Sequence, residues 1–248
     1  MPVTVTRICR YPVKGLSAEP LSRVRLSPGE CVPGDRRFAI ARATTQFDPQ
    51  HLEWLPKVKF FMLMRDEKLA ELQSRFDPGN GNLTIERNGR QVLSAKITDD
   101  AGRESANRFF AEFLGAPPDD APNLLDAPGH TFADAQRRPN ASTYKYLSIV
   151  NLASIRALEQ VVQVSLDPIR FRANLYIDGA PAWSEFDWVD STLAVGSVRL
   201  HVVSRITRCA ATSVNPTTAV RDVDIPAVLR RAFEHGDMGV YAEVIGGG

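Results

Sequence analysis

Short segments in which apolar and polar residues alternate run through most of this chain, separated by turns rich in proline and glycine. The longest of them covers residues 191–206 (STLAVGSVRLHVVSRI) and is interrupted at Gly196. A two-residue period is typical of β-strands that bury one face. Because strand and helix patterns do not alternate in a sustained way, the sequence argues against a parallel α/β fold.

Helical patterns are few and scattered. Residues 102–114 (GRESANRFFAEFL) are amphipathic and end at Gly115, Asn151 is placed to begin a second helix, and Pro226 begins a short third one. The continuous apolar run at residues 58–64 (VKFFMLM) predicts a buried strand. We therefore expect a β-rich α+β protein that is barrel-like in its second half, with a few peripheral helices.

A segment rich in proline, aspartate and alanine at residues 116–130 (APPDDAPNLLDAPGH) cannot build a hydrophobic core. Such composition is typical of a boundary between domains. The sequence thus predicts a smaller β-rich domain over residues 1–118 and a second domain over residues 119–248.

Composition excludes several classes of protein. The 248 residues carry a net charge of +1, and no apolar run approaches the roughly 20 residues that cross a bilayer. The first ten residues (MPVTVTRICR) lack the apolar centre of a signal peptide. Three widely spaced cysteines without a CxxC pair suit a reducing compartment. We expect a cytoplasmic protein that has no membrane partner.

A cysteine beside a fixed positive charge marks residues 204–216 (SRITRCAATSVNP), where Cys209 follows Arg208. A neighbouring cation stabilises a thiolate, which can act as a nucleophile or as a metal ligand. A free cysteine can equally be a small buried apolar residue. The local sequence leaves both interpretations open.

Basic residues are concentrated at the start of the chain. Residues 1–42 hold eight basic and three acidic side chains. Clustered arginines are typical of phosphate sites, although a solvated basic face is the simpler explanation. Nucleic acid is not an expected partner, because no aromatic interleaving or reader motif accompanies the charge.

Several segments together resemble the MOSC family. Residues 11–16 (YPVKGL) and 34–38 (GDRRF) resemble the N-terminal β-barrel-like domain that precedes MOSC domains. The MOSC domain itself is similar to residues 170–179 (RFRANLYIDG), 185–222 and 236–244 (GDMGVYAEV), and the second of these contains the Arg-Cys motif. The resemblance, which is nearest to the amidoxime-reducing members, implies a molybdenum cofactor (molybdopterin) held between the two domains.

The resemblance also implies roles for individual residues. Cys209 would be the thiolate ligand of molybdenum, a soft donor that completes a sulfur-rich shell, and Arg208 would keep it deprotonated. The pterin and its phosphate would be contacted by Lys14, Arg36, Arg172 and Asn174, and Ser154 would hydrogen-bond the cofactor. Each of these residues also has an ordinary structural explanation, such as an Arg36–Asp35 ion pair or backbone capping by Ser154 and Asn174.

Two functions follow from this resemblance. The first is an oxidoreductase that reduces small N-hydroxylated compounds, with electrons from a separate reductase because no cysteine-rich iron–sulfur segment is present. The second is a carrier of sulfur or of the cofactor, in which Cys209 bears a persulfide or anchors the cofactor. A pyridoxal phosphate enzyme is not expected, because no lysine is marked as a Schiff-base residue.

One loop departs from the family pattern. Where the family has Asp-Pro-x-Thr-Gly, residues 215–219 read NPTTA. Loss of the glycine removes easy access to positive φ, so we expect a reshaped loop.

Overall fold

The computed structural model describes residues 2–136 and 141–248. In these residues the strands, in chain order, are β1 (Thr4–Arg10), β2 (Val13–Lys14), β3 (Glu19–Leu21), β4 (Phe38–Ala41), β5 (Gln73–Asp77), β6 (Asn82–Arg87), β7 (Arg90–Lys96), β8 (Asn123–Asp126), β9 (Leu147–Asn151), β10 (Leu175–Asp178), β11 (Thr192–Val195), β12 (Val198–Thr207) and β13 (Asp237–Gly246). The α-helices are α1 (Asp100–Leu114), α2 (Leu152–Val162) and α3 (Ile225–Phe233). The expected β-rich α+β class is confirmed.

A seven-stranded sheet of order β11-β12-β13-β9-β10-β1-β3 forms the larger body and curls into a half-barrel. Only β9 and β10 pair in parallel within it, with Leu175 opposite Ile149. The other neighbours pair antiparallel. Alternating burial along β12 puts Leu200 and Val202 into the core, as the two-residue period predicts.

Strands from the start of the chain complete this sheet. β1 pairs with β10, so that Ile8 lies opposite Leu175, and β3 adds to the outer edge of β1. In the opposite direction, β8 joins the small sheet β2-β4-β8. The domain boundary after residue 118 stays a prediction. Strands on each side of it pair with strands on the other side, since β1 pairs with β10 and β8 pairs with β4.

A third sheet, β5-β6-β7, packs with α1 over a core that includes Phe38, Leu83 and Phe110. Asn88-Gly89, a dipeptide that favours a two-residue hairpin turn, joins β6 to β7, with both residues at positive φ as that turn requires. The predicted first helix is also confirmed: Asp99 accepts a hydrogen bond from Gly102 N, and Gly115 ends the helix in the left-handed conformation.

The strand predicted at residues 58–64 is wrong. That segment begins in a 3₁₀ turn, Lys57–Lys59, and makes one isolated bridge between Phe60 and Ala41. Phe60, Phe61 and Met62 are nevertheless buried, so the apolar run marks burial rather than regular pairing. No helix in the described parts of the chain has both the length and the apolar character needed to cross a membrane.

Candidate anion and thiolate site

A cavity of about 530 Å³ lies where the turn after β1, the segment around residues 54–64 and the ends of β10 and β12 come together. Its walls include six of the seven side chains singled out in the sequence: Lys14, Arg36, Arg172, Asn174, Arg208 and Cys209. These residues are up to 195 positions apart in the chain (209 − 14), so the fold has gathered a site that no local motif contains.

The cavity is strongly basic. Its basic lining residues are Lys14, Arg36, Lys57, Arg170, Arg172, Arg205 and Arg208, and Asp134 is the one acidic residue among the lining residues described. Because solvent and salt screen partly buried charges weakly, these side chains favour the binding of an anion in the cavity, although the chain as a whole is nearly neutral.

Lys14 is 6% exposed at the end of β2. Its Nζ donates to the Phe132 carbonyl oxygen at 2.8 Å and pairs with the Asp134 carboxylate. Burial lowers the pKa of Lys14, and the ion pair with Asp134 opposes that shift. Gly15 follows at φ 88°, and an added Cβ would come within 3.3 Å of Leu69, which explains a glycine at this turn.

Two arginines stack on one aromatic ring. The guanidinium carbons of Arg36 and Arg172 lie 4.8 and 4.5 Å from the centroid of the Tyr11 ring. Arg36 pairs with Asp35, and its Nη2 donates to the Arg172 carbonyl oxygen at 2.9 Å. Both arginines have positive φ, near 50°, a backbone conformation that such residues rarely adopt.

Arg172 has an unused donor. Its Nη1 donates to the Leu16 carbonyl oxygen at 2.7 Å, whereas Nη2 is buried and has no hydrogen-bond partner. Burial lowers the pKa of Arg172, and the neighbouring Arg36 guanidinium adds to the shift. A buried donor without a partner is rare in proteins, and an anion in the cavity would satisfy it.

Arg208 anchors the segment that carries the thiol. Its Nη1 donates to the Phe171 carbonyl oxygen and its Nε to that of Met238, both at 2.8 Å. The side-chain hydrogen bonds that Arg208 makes with described residues all go to main-chain oxygens. Burial lowers the pKa of Arg208. The expectation that Arg208 stabilises a Cys209 thiolate stays a prediction.

Cys209 lies just past the end of β12 and is half-buried. It precedes a 3₁₀ turn, Ala210–Ser213, and its carbonyl oxygen accepts hydrogen bonds from Thr212 N at 3.0 Å and Thr212 Oγ1 at 2.9 Å. The turn holds the thiol on the cavity wall, in contrast to Cys9 and Cys31, which are buried elsewhere.

Matches to protein-family models show to which family the chain belongs. Residues 2–121 match the model of the MOSC N-terminal beta barrel domain, and residues 132–248 match the model of the MOSC domain. The chain belongs to the MOSC family.

This MOSC protein is similar to two mitochondrial amidoxime-reducing components and to a molybdenum cofactor sulfurase. Mitochondrial amidoxime-reducing component 1 of Homo sapiens is 26% identical over 141 residues, which cover 54% of this chain and 41% of that protein. Its Xenopus laevis counterpart is 33% identical over 100 residues, covering 40% and 27%. Molybdenum cofactor sulfurase of Caenorhabditis briggsae is 23% identical over 247 residues, covering 96% of this chain and 33% of that one.

The matched regions thus span at most 41% of the length of these relatives. Among solved structures, the YUAD protein from Bacillus subtilis has a TM-score of 0.41 at 10% identity, over 100% of this chain and 93% of that one. That value is too low to carry an argument about this protein.

Two predicted residues of this MOSC protein have structural partners. Asn174 lines the cavity, but its Oδ1 accepts from Ser148 N and Oγ, and its Nδ2 donates to the Cys9 carbonyl oxygen. Asn174 therefore ties β9, β10 and β1 together beneath the site.

Ser154 does not line the cavity. Its hydroxyl is fully buried, donates to the Glu185 carboxylate and accepts from Trp183 N at 2.8 Å. The geometry does not support the predicted hydrogen bond from Ser154 to a cofactor, because the first turn of α2 packs against the turn at residues 184–188 instead.

Other residues that line the cavity were not expected from the sequence, among them Asp134, Tyr241, Trp54 and the segment 62–64. Asp134 lies in an irregular loop and Tyr241 within β13, so neither carries a local signal of a site. Within the described residues, no group of three or more His, Cys, Asp or Glu side chains is arranged to hold a metal ion.

Proposed function

We propose that this MOSC protein binds a molybdenum cofactor in the basic cavity, with Cys209 as a thiolate ligand of molybdenum. We further propose that it reduces small N-hydroxylated compounds with electrons from a separate reductase. The observation that carries the proposal is the pairing of a half-buried thiol with a buried, unpartnered guanidinium nitrogen in the lining of one cavity.

The residues fit such a group. A pterin cofactor brings an anionic phosphate, and Lys14, Arg36 and Arg172 would hold it by charge-assisted hydrogen bonds. Arg172, which lines the cavity, has a buried Nη2 without a hydrogen-bond partner, and this supports the assignment. The cofactor also brings its own dithiolene sulfurs, so one soft thiolate from the chain suffices to complete a sulfur-rich shell.

When bound, the cofactor would supply the two-electron redox chemistry that reduction of an N–OH group requires. The chain would position the reactants. Arg208 holds the Cys209 segment to β13 at Met238 and to the 3₁₀ turn that ends at Phe171. The cationic lining residues would fix the anionic end of the cofactor. Trp54 and Met62–Met64 give the cavity an apolar side for the body of a substrate.

The metal assignment is tested by molybdenum analysis and pterin fluorescence of protein from a molybdenum-replete host. We expect about one molybdenum per chain and its loss in Cys209→Ala, since the thiolate is a direct ligand. Cys31→Ala is the matched control, because Cys31 does not line the cavity. Stoichiometric molybdenum in Cys209→Ala would refute the ligand role.

The anion cradle is tested by the double variant Arg36→Ala/Arg172→Ala. Each charge-assisted hydrogen bond is worth roughly 1.5–3 kcal/mol, so cofactor occupancy should fall strongly while the fold persists. Arg87→Ala is the control, since Arg87 pairs with Glu71 at the surface. Full occupancy in the double variant contradicts the cradle.

The carrier function is the second candidate, and the match to molybdenum cofactor sulfurase over 96% of this chain favours it. Turnover separates the two. The reductase proposal expects loaded protein to reduce N-hydroxylated compounds with reduced viologen, but not with a nicotinamide nucleotide alone. Loaded protein that is inactive on all of them, yet passes its cofactor or a Cys209 persulfide to an apo-enzyme, establishes the carrier.

A further inference from the structure

The loop that follows Cys209 is closed on itself. Val214 and Arg221 form an isolated antiparallel bridge, Asn215 N donates to the Val220 carbonyl oxygen at 2.8 Å, and Ala219 N donates to that of Asn215 at 2.9 Å. The Asn215 side chain accepts from Thr217 N at 2.9 Å. The loop is therefore a compact unit that presents Arg221 and Asp222 at its end.

Arg221 joins two walls of the cavity. Its Nη1 donates to the Ala210 carbonyl oxygen at 3.0 Å, directly after Cys209. Its Nη2 donates to the carbonyl oxygens of Leu63 at 3.1 Å and Met64 at 2.9 Å, and to Glu67 Oε2 at 3.0 Å. A planar guanidinium can bridge such acceptors at once, which a single ammonium does less well.

The neighbouring residue anchors the other side of the loop. Asp222 Oδ2 accepts from Arg170 Nη2 at 2.6 Å and from Asn215 Nδ2 at 2.8 Å. The Arg170 side chain is 2% exposed and lines the cavity. Asp222 thus attaches the loop to Arg170 in the lining of the cavity, and Arg221 attaches it to residues 63–67.

The contacts of Arg221 also lie between two cavities. Leu63 and Ala211 line the main cavity and a second cavity of about 480 Å³, and they lie at or beside the main-chain groups that Arg221 holds. The Arg221 side chain links the Ala210 carbonyl oxygen to the carbonyl oxygens of residues 63–64, and its loss would remove this link.

We propose that Arg221 is a positioning residue: by holding the Ala210 carbonyl against residues 63–64, it sets where the Cys209 thiol lies in the cavity. The meaning of that position rests on the proposed function, because there Cys209 is the metal ligand. The placement itself needs no cofactor and can be measured without one.

The test uses the cofactor-free full chain and follows iodoacetamide alkylation of each cysteine by peptide mass spectrometry. Cys9 and Cys31 are internal references for unfolding, since burial raises their pKa values to about 11 and about 12. In Arg221→Gln we expect Cys209 to react about fivefold faster, the shift that loss of about one net hydrogen bond allows, with both references unchanged. Loss of a positive charge does not in general speed the alkylation of a thiol, because cations favour the reactive thiolate, so a faster reaction reports position rather than charge.

Two further variants sharpen the comparison. Arg221→Lys keeps the charge but not the fork, and we expect a rate between those of wild type and Arg221→Gln. Glu67→Gln removes an ion pair between partly exposed side chains but keeps the carbonyl contacts, so it should react like wild type. If Arg221→Gln does not fold, Arg221→Lys decides the question by the same criterion.

A wild-type Cys209 rate in the folded Arg221 variants overturns the proposal, as does a rise that Cys9 and Cys31 share. Failure of the proposed function has a different signature, namely wild-type protein that never acquires molybdenum. In that case the alkylation rates still report whether Arg221 positions the thiol.

Discussion

At the residue scale, one alanine takes a left-handed conformation at the position where the family sequence pattern has glycine. Ala219 has φ 58° and closes the loop after Cys209. We expected loss of the glycine to reshape this loop, and the structure shows that the alanine itself takes the left-handed conformation. Such a conformation costs a non-glycine residue roughly 1–2 kcal/mol, which the hydrogen bonds of Asn215 offset.

Ala219→Gly should therefore stabilise the protein. Relief of the left-handed strain outweighs the extra flexibility of glycine in the unfolded chain, so we expect a gain of about 0.5–1 kcal/mol in the free energy of unfolding. The measurement is the urea midpoint at constant slope. Ala227→Gly within α3 is the matched control and should instead lose about 1 kcal/mol. Equal losses at both positions would argue against strain at Ala219.

At the element scale, a buried carboxylate fastens the start of α2. Glu185 is fully buried and accepts hydrogen bonds from the Ser154 hydroxyl at 2.8 Å and from Asn151 Nδ2 at 3.1 Å. Burial raises the pKa of Glu185, and these hydrogen bonds oppose the shift. The serine predicted to touch a cofactor thus stabilises the junction between a helix and a turn.

Ser154→Ala should cost about 1–3 kcal/mol of stability, because it leaves Glu185 with fewer donors and Trp183 N without its acceptor. The pKa of Glu185 in the folded protein lies above its unfolded value of 4.5. As pH rises from the unfolded pKa to the folded pKa, ionisation of Glu185 therefore favours the unfolded chain increasingly. Because Ser154→Ala removes a donor to the charged carboxylate, it raises the folded pKa of Glu185 further. The loss of stability in the variant should therefore be larger at pH 7 than at pH 4.5.

Unfolding by urea at both pH values measures this effect. Ser165→Ala, at an exposed position, is the control and should stay within about 0.5 kcal/mol of wild type. Folded Ser154→Ala should keep its cofactor occupancy. A variant of unchanged stability that loses the cofactor would restore the role predicted from the family resemblance.

At the scale of the whole molecule, the site depends on strands that cross between the two halves. β1 and β3 complete the seven-stranded sheet beside β10, while β8 returns to pair with β4. The cavity is lined from both halves, by Lys14 and Arg36 on one side and by residues 205–209 on the other. Neither half alone contains the complete seven-stranded sheet, the complete β2-β4-β8 sheet or the complete site.

Residues 119–248 expressed alone should consequently fail to unfold cooperatively. The fragment leaves the edge of β10 unpaired, and such an open edge promotes association with other chains. Coexpression with residues 1–118 should restore a soluble complex. Calorimetry and size-exclusion chromatography of the fragment give the measurement.

The control for this experiment is the full chain cleaved after folding at a protease site placed between residues 118 and 119. It should stay assembled, because the interstrand contacts are already formed. A monomeric, cooperatively folding fragment 119–248 would show that β1 is dispensable.

Local features of the sequence determined the elements whose cause is local. The Asn88-Gly89 turn, the capped helix ending at Gly115 and the strand that leads to Cys209 all follow from backbone preferences and periodicity over a few residues. The family signature around Cys209 also lies within one short segment.

Tertiary structure alone decided the contacts between distant segments. The pairing of β1 with β10, the turn Lys57–Lys59 in place of a strand, and the contacts of Ser154, Asp134 and Arg221 each join residues that no short pattern relates. A buried donor or carboxylate takes whichever partner the packed chain brings within hydrogen-bonding distance. That choice is made by the free energy of the whole packed molecule, so these contacts follow only once the chain is folded.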